Sequence, residues 1–142
     1  MKNINIQRLG FIILLFSLVL TSACGGKSSS ANIADAGLYF DPSGLQPTTT
    51  YEWRDVFYCV IHVSGATPET VVKASWVAVD TDRAAPNSVL KIEEKTAGVS
   101  PVIFKLENIG HIWPVGSYEV YIYLDGDLDR VLEFNVKEAD LG

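Results

Sequence analysis

Apolar and polar residues alternate with a period of two through most of this chain, which is the pattern of half-buried β-strands. Turn-forming clusters interrupt the alternation roughly every 12 residues, for example at 41–44, 82–87 and 125–126. No stretch carries a long helical period with capping residues at its ends. The pattern therefore predicts an all-β domain of seven strands, at residues 37–40, 53–63, 71–80, 89–94, 102–107, 118–124 and 130–136.

The alternation also divides the residues of each predicted strand between a core and an outer face. The inward sets consist of large aliphatic, aromatic or small side chains. Burial of each large side chain contributes roughly 1.5–3 kcal/mol, so we expect a stable core without a disulfide. The predicted core is Phe57, Cys59, Ile61, Val63, Val72, Ala74, Trp76, Ala78, Val102, Phe104, Leu106, Tyr118, Val120, Ile122, Leu124, Leu132, Phe134 and Val136.

The last two predicted strands form a hairpin, and its register decides which residues enter the core. A simple two-residue turn at 125–126 would leave Leu132 and Phe134 facing solvent. A three-residue loop, or a bulge in the last strand, instead pairs Val120 with Leu132 and Tyr118 with Phe134. Because the second arrangement buries both large side chains, it is the predicted one.

Several outward positions carry apolar or aromatic side chains where sandwich strands usually show polar ones. A contiguous patch of this kind indicates a binding partner, and tyrosine is a frequent interface anchor. The sequence leaves a second explanation open, in which residues 36–53 fold over one face and cover it. The candidate partner-binding residues are Val77, Val79, Tyr121, Tyr123 and Val131, and Val56, Tyr58 and Val60 face outward on the opposite sheet.

The first 23 residues have the features of a secretory signal peptide. Lys2 and Arg8 precede an apolar run at 11–20, which is shorter than the roughly 20 residues that a membrane span requires. The run ends in LTSAC, which resembles the lipobox of bacterial lipoproteins. The resemblance implies that the leader is removed and that Cys24 carries the lipid anchor. The alternative is an ordinary leader cut near Ala23, which would leave Cys24 a plain thiol.

The predicted signal peptide and Cys24 set the boundaries of the rest of the chain. Gly25 stands where an aspartate would resemble an inner-membrane retention signal, so the resemblance implies the outer membrane if the organism has one. Residues 24–35 are rich in glycine and serine and are predicted to form a flexible tether. The sandwich is predicted at 36–138, followed by a short tail at 139–142.

The charge balance argues against nucleic acid as a partner. Acidic residues outnumber lysine and arginine by 17 to 11, giving a net charge of −6, whereas phosphate binding needs clustered cations. Removal of the leader takes this charge to −8, since the leader holds two cations and no acid. If Cys24 is lipidated, Cys59 has no partner for an intramolecular disulfide.

The segment from Pro114 to Val120, PVGSYEV, is the most specific indication of the fold. It resembles the tyrosine corner of immunoglobulin-like domains, in which a tyrosine near the start of strand F bonds back to the preceding turn. The chain is similar to an immunoglobulin or fibronectin type III sandwich over roughly residues 36–138. The resemblance implies that Tyr118 locks this corner, and Gly116 belongs to the same motif. It places Cys59 and Val120 at the two positions of the core disulfide, and Trp76 at that of the core tryptophan.

No motif for catalysis or for a resident metal is present. Asp125, Asp127 and Asp129 are spaced like the start of a calcium loop, but Arg130 and Val136 replace the glycine and glutamate that the loop needs. The only histidines, at 62 and 111, are far apart and have no zinc-ligand spacing. No nucleophile elbow accompanies them. We therefore expect a protein that is not an enzyme, with no cofactor and no metal.

The expected function is that of a non-catalytic cell-envelope lipoprotein acting as a protein-interaction or assembly module. Its partners would be the membrane, through the lipid on Cys24, and a protein or further copies of itself. A carbohydrate-binding module is the alternative that Tyr51, Trp53 and Trp113 suggest, because aromatic side chains in loops can stack on sugar rings. A third possibility is a structural subunit of a surface fibre or envelope complex, assembled through a sandwich edge.

Overall fold

The computed structural model describes residues 30–98 and 100–142. These residues contain eight β-strands and no helix. Cys24 and the predicted signal peptide lie outside this part of the chain. No helix that could cross a membrane occurs among the described residues. The strands are β1 (Asn32–Tyr39), β2 (Thr50–Glu52), β3 (Phe57–Ser64), β4 (Val71–Thr81), β5 (Ser88–Thr96), β6 (Val102–Leu106), β7 (Gly116–Leu124) and β8 (Asp127–Lys137).

The strands form two sheets packed face to face, as the all-β sandwich prediction requires. The small sheet has the order β1-β3-β6, and the large sheet has the order β2-β8-β7-β4-β5. All neighbours are antiparallel except β2 and β8, which pair in parallel. The inner faces of the two sheets enclose the core, and their outer faces form the two broad sides of the sandwich.

Two differences from the predicted strands lie at the start of the domain. Residues 32–35 belong to β1, where they pair with β3, although the sequence assigned them to the tether. The predicted strand 53–63 begins only at Phe57, because the Asp55 carboxylate and N–H close a turn on Glu52. The short strand β2 before that turn was not predicted, since three residues are too few to establish an alternating pattern.

Aromatic rings from both sheets meet around Phe57, which is fully buried. The Phe57 ring centroid lies 4.6 Å from that of Tyr51, 4.8 Å from that of Trp113 and 5.1 Å from that of Phe134. Tyr51 and Trp113 are core residues that alternation did not find, because one lies in the short strand β2 and the other in a loop. Burial confirms most of the predicted core, with Leu124 and Leu132 only partly buried at its margins.

Tyr118 lies at the start of β7 and joins this strand to the turn before it. Its side chain is 1% exposed, and its hydroxyl donates a hydrogen bond to the Pro114 carbonyl. Burial raises the pKa of Tyr118 to about 12. Gly116 has a φ of 147°, and a Cβ there would stand 2.1 Å from the Asp80 carbonyl oxygen. Only glycine permits β7 to approach β4 at this point.

Three further residues of the resemblance lie in the centre of the sandwich. Cys59, Trp76 and Val120 are all inaccessible to solvent. Trp76 pairs with Val120 across β4 and β7, while Cys59 lies on the small sheet. Burial raises the pKa of the Cys59 thiol to about 12. A thiol in such surroundings is a packing group and not a nucleophile.

The register of the last hairpin is the predicted one. Asp125 and Gly126 adopt φ values of 48° and 89°, which suit a two-residue hairpin turn with left-handed central residues. The shift in register between Ile122 and Tyr123 leaves Asp129 as one extra residue on β8. This bulge pairs Val120 with Leu132 and returns the apolar side chains of β8 to the core.

We predict that Tyr118→Phe lowers the free energy of unfolding by about 0.5–1.5 kcal/mol, because the part-buried Pro114 carbonyl loses its donor. Urea denaturation measures this change. Tyr123→Phe is the matched control, since that ring lies on the outer face of the large sheet, and we expect a change below about 0.5 kcal/mol. If both substitutions lowered the free energy of unfolding equally, the hydrogen bond from Tyr118 to Pro114 would not be what stabilises the corner.

Candidate functional site

The outer face of the large sheet carries a row of four directly opposed residues that crosses four strands. Ile92 on β5 lies beside Ser75 on β4, Ser75 beside Tyr121 on β7, and Tyr121 beside Val131 on β8. The rows on either side add further apolar and aromatic side chains. We call this surface the apolar face, defined by Val77, Val89, Ile92, Tyr121, Tyr123, Leu128 and Val131.

Large apolar side chains on this face are open to solvent. Ile92 is 61% exposed, Val89 58%, Leu128 52% and Val131 37%. Single exposed hydrophobic residues need no explanation, but neighbours in adjoining rows form a patch of the kind that partners cover. Alternation alone does not show which strands neighbour one another, so it did not indicate Val89, Ile92 and Leu128 as members of this face.

The five candidate partner-binding residues are distributed unevenly over this face. Tyr121, Tyr123 and Val131 belong to it and are at least partly accessible. Val77 belongs to it but is only 8% exposed, so it supports the surface more than it offers contact. Val79 lies at the β4 bulge between Ala78 and Asp80, where the register shifts, and is half-buried beyond the last row.

Charged side chains hold the two central tyrosines. The Tyr121 hydroxyl donates to the Glu119 carboxylate at 2.5 Å, and this bond raises the pKa of Tyr121. The Lys73 ammonium lies 4.2 Å from the centroid of the Tyr123 ring, within cation–π range. Both rings are therefore held by neighbours before any partner arrives.

One pair of like charges stands at the rim of the apolar face. Glu119 on β7 and Glu133 on β8 are directly opposite each other, an arrangement that destabilises a sheet. Within the described part of the chain, neither carboxylate has a cation within 4.0 Å. The rim is thus acidic and receptive to a positive group.

The opposite face of the sandwich, on the small sheet, is covered by its own chain. Val60, predicted to face outward, does so but is only 2% exposed. Residues 41–47 fold back over it, and Gly44 approaches so closely that a Cβ there would lie 3.6 Å from Val60. Of the two explanations that the sequence left open, coverage by residues 36–53 therefore holds for this sheet alone.

Asp41 organises the covering loop. Its carboxylate accepts a hydrogen bond from the Ser43 hydroxyl and others from the backbone N–H groups of Ser43, Leu45 and Gln46. These bonds hold the pKa of Asp41 below its usual value, and the bond from the Ser43 hydroxyl contributes most to the lowering. These bonds give the loop a defined conformation, so it keeps its position over Val60.

Lysine side chains close the edge where β5 of one sheet meets β6 of the other. The ammonium groups of Lys91 and Lys95 donate to the carbonyls of Lys105 and Ile103, at 3.2 and 2.6 Å. Glu93 lies between the two lysines and pairs with both, at 2.8 and 3.4 Å. Partial burial by itself would raise the pKa of Glu93, but Lys91 and Lys95 outweigh it and lower the pKa. Inward charges of this kind protect an edge strand from pairing.

The loop aromatics that suggested sugar binding do not form a platform. Tyr51 is fully buried, and its hydroxyl donates to the Tyr39 carbonyl at 2.9 Å. Trp113 is 6% exposed, and its indole N–H donates to the Asp55 carbonyl at 2.9 Å. Trp53 packs against the core and is half-buried. Flat stacking of a sugar ring on this set is therefore blocked.

Two of the three carboxylates in the acidic turn at residues 125–129 make structural contacts. Asp125 accepts a hydrogen bond from the Val71 N–H at 2.9 Å, and Asp129 pairs with Arg130 at 2.7 Å. No group of three potential metal ligands occurs among residues 30–98 and 100–142. His62 and His111 are exposed on separate elements.

Comparison with known proteins shows which fold this chain has, but it does not assign the chain to a family. No protein-family model matches the chain, and no curated protein matches it. An immunoglobulin-like protein from Pseudomonas aeruginosa is similar in structure, with a TM-score of 0.51 and 16% identity over 75% of this chain and 96% of that one. The sandwich is accordingly immunoglobulin-like, as the tyrosine corner predicted.

Two other solved structures are similar to parts of this chain. The alkylpurine DNA glycosylase AlkC of Pseudomonas fluorescens, bound to DNA containing an abasic site analogue, has a TM-score of 0.50 and 13% identity; the match covers 77% of this chain and 30% of that one. The C-terminal domain of Wzt has a TM-score of 0.46 and 13% identity, with 77% and 74% covered. At 13% identity the likeness to AlkC describes the fold alone.

We predict that Glu133→Lys raises the free energy of unfolding by about 0.2–1 kcal/mol, because it replaces a repulsive cross-strand pair with an attractive one. Urea denaturation at low salt measures the gain, which should shrink at 1 M salt as the charges are screened. Glu138→Lys changes the net charge equally, away from Glu119, and serves as the control. A gain of the same size in the control would show that net charge alone is responsible.

Proposed function

We propose that this chain is a non-catalytic, lipid-anchored protein of the bacterial cell envelope whose sandwich binds another protein through the apolar face. The observation that carries the proposal is the row from Ile92 to Val131, which crosses four strands and has an apolar or aromatic side chain on three of them, around the small Ser75. The small sheet is covered by its own loop, whereas this face is not covered by any described residue. An apolar surface left open in this way is a docking surface.

The two tyrosines are the anchors of the proposed interface. Buried aromatic side chains contribute most to binding when their orientation is set beforehand, because less side-chain entropy is lost on association. Glu119 and Lys73 hold Tyr121 and Tyr123 in this way. Ile92 and Leu128 flank them and would be covered by a complementary apolar surface of the partner.

The proposed anchor would hold one end of the sandwich close to a bilayer. Seven residues lie between Cys24 and Asn32, so the two are at most about 30 Å apart when the chain is fully extended. The chain enters the sandwich beside Gly65, so the end that carries this turn would face the lipid. The apolar face lies on the side of the sandwich and would stay open to a neighbouring envelope protein.

We predict that Cys24→Ser abolishes incorporation of radiolabelled palmitate and shifts the protein from the membrane fraction to the soluble fraction. The reason is that one acylated cysteine would supply the whole anchor. Cys59→Ala is the matched control, since this buried thiol is inaccessible, and it should keep the label. Label retained by Cys24→Ser would contradict the proposed anchor.

We predict that Tyr121→Ser combined with Tyr123→Ser weakens partner binding at least tenfold, which corresponds to the loss of about 1.4 kcal/mol or more. The partner is first captured by photo-crosslinking in intact cells and then measured with purified components. Ile92→Lys provides an independent disruption, because its 61% exposure allows a charge without unfolding the sheet.

The control for both disruptions is Ile109→Ser. Ile109 is 82% exposed in the loop between β6 and β7, away from the apolar face. Binding should survive this change, and thermal denaturation should show all variants folded. If folded variants of the apolar face retain every wild-type crosslink, the partner binds elsewhere and the assignment of this surface is wrong.

A further inference from the structure

Two strand edges, one from each sheet, face a common groove on the side of the sandwich opposite β5 and β6. The strand β2 covers only the last part of β8, pairing with Asn135, Val136 and Lys137. Earlier residues of β8 have β7 on one side and no strand of the described residues on the other. The β1 strand likewise has β3 on one side, and its other edge contacts residues 46–48 only near its end.

The hydrogen bonds of Asn135 show which way the backbone of β8 points. The Asn135 N–H donates to the Thr49 carbonyl at 2.9 Å, on the side away from β7. Because strand residues alternate in direction, Val131 and Glu133 also direct their N–H and C=O groups to this edge. No described residue accepts from or donates to these groups.

The other wall of the groove has the same character. The Leu38 carbonyl accepts from the Thr48 N–H at 2.9 Å, on the side of β1 away from β3. Two residues earlier, the Ala36 backbone faces the same side, and no described residue pairs with it there. The groove has a volume of about 600 Å³ and is lined on its two sides by residues 36–39 and 131–133.

Both ends of the groove are defined. At one end the Arg130 guanidinium donates to the Ile33 carbonyl at 2.8 Å, which joins β8 to β1. At the other end Pro47, Thr48 and Thr49 fill the space between the strands. Between these ends lies a slot with backbone donors and acceptors on both walls, which is the setting for strand addition.

We propose that this slot binds an extended segment of another protein, which pairs with the β8 edge at Val131 and Glu133. The proposal goes beyond the apolar face, since it concerns a sheet edge and backbone recognition. Side chains on the inner side of the inserted segment would meet Leu38 and Leu132 and would be apolar. Those on the outer side would lie next to Glu133.

Charge decides the chemistry of that outer side and argues against a second copy. Glu133 faces Glu119 across the sheet, and no cation of the described residues lies within 4.0 Å of either carboxylate. A lysine or arginine beside Glu133 would relieve the repulsion. A second copy would bring the same acidic edge and a chain of net charge −6, which opposes self-association. The occupant is therefore an extended segment that alternates apolar and basic residues.

The test uses a seven-residue peptide that alternates lysine and valine, added to the full-length protein in detergent. Hydrogen–deuterium exchange of the β8 segment reports on the edge. We expect exchange at residues 131–133 to slow in the presence of this peptide. The same peptide with its alternate amides N-methylated should give no protection, since it cannot complete the ladder. Absence of protection by the first peptide, or equal protection by both, would overturn strand addition.

Glu133→Lys tests the choice of charge. We expect this variant to bind the lysine–valine peptide about fivefold more weakly and to prefer a glutamate–valine peptide. Glu138→Lys should leave both affinities unchanged. An unchanged preference in Glu133→Lys would overturn the basic occupant. Protection that rises with protein concentration in the absence of peptide would indicate a second copy and would overturn the proposal in the same way.

Discussion

Contact between the two sheets depends on the ring of Phe57. Tyr51, Trp113 and Phe134 reach it from the large sheet and from a loop, and no disulfide assists them among the described residues. Close packing of rings replaces the covalent bond that antibody domains use between the same sheets. Because each ring arrives from a different segment, this cluster also positions the loops that end beside it.

The cluster leaves the outer surfaces of the sandwich unequal. The segment that delivers Tyr51 to the core must first cross the small sheet, so its loop covers Val60. Lysines close the edge between β5 and β6. The large sheet and the β8 edge receive no comparable cover from the described residues. Both proposed binding surfaces are therefore parts of the fold that its own chain does not complete.

These two surfaces meet along β8. Val131 contributes its side chain to the apolar face and its backbone to the groove, because one edge strand offers both at the same residue. Glu133 beside it gives the shared boundary an acidic character. A partner with an extended basic segment next to an apolar surface could engage both, while the proposed lipid at Cys24 would confine it to the envelope.

The sequence by itself determined the strands and their faces, since a period of two follows directly from strand geometry. It also determined the hairpin register, because only a three-residue loop or a bulge turns Leu132 and Phe134 toward the core together, and the structure shows that the bulge is used. Local patterns do not encode which strands become neighbours, so only the tertiary structure brought Ile92, Tyr121 and Val131 into one row. The same holds for β2 and Trp113, whose burial arises from long-range packing around Phe57, and for the β8 edge that no strand covers.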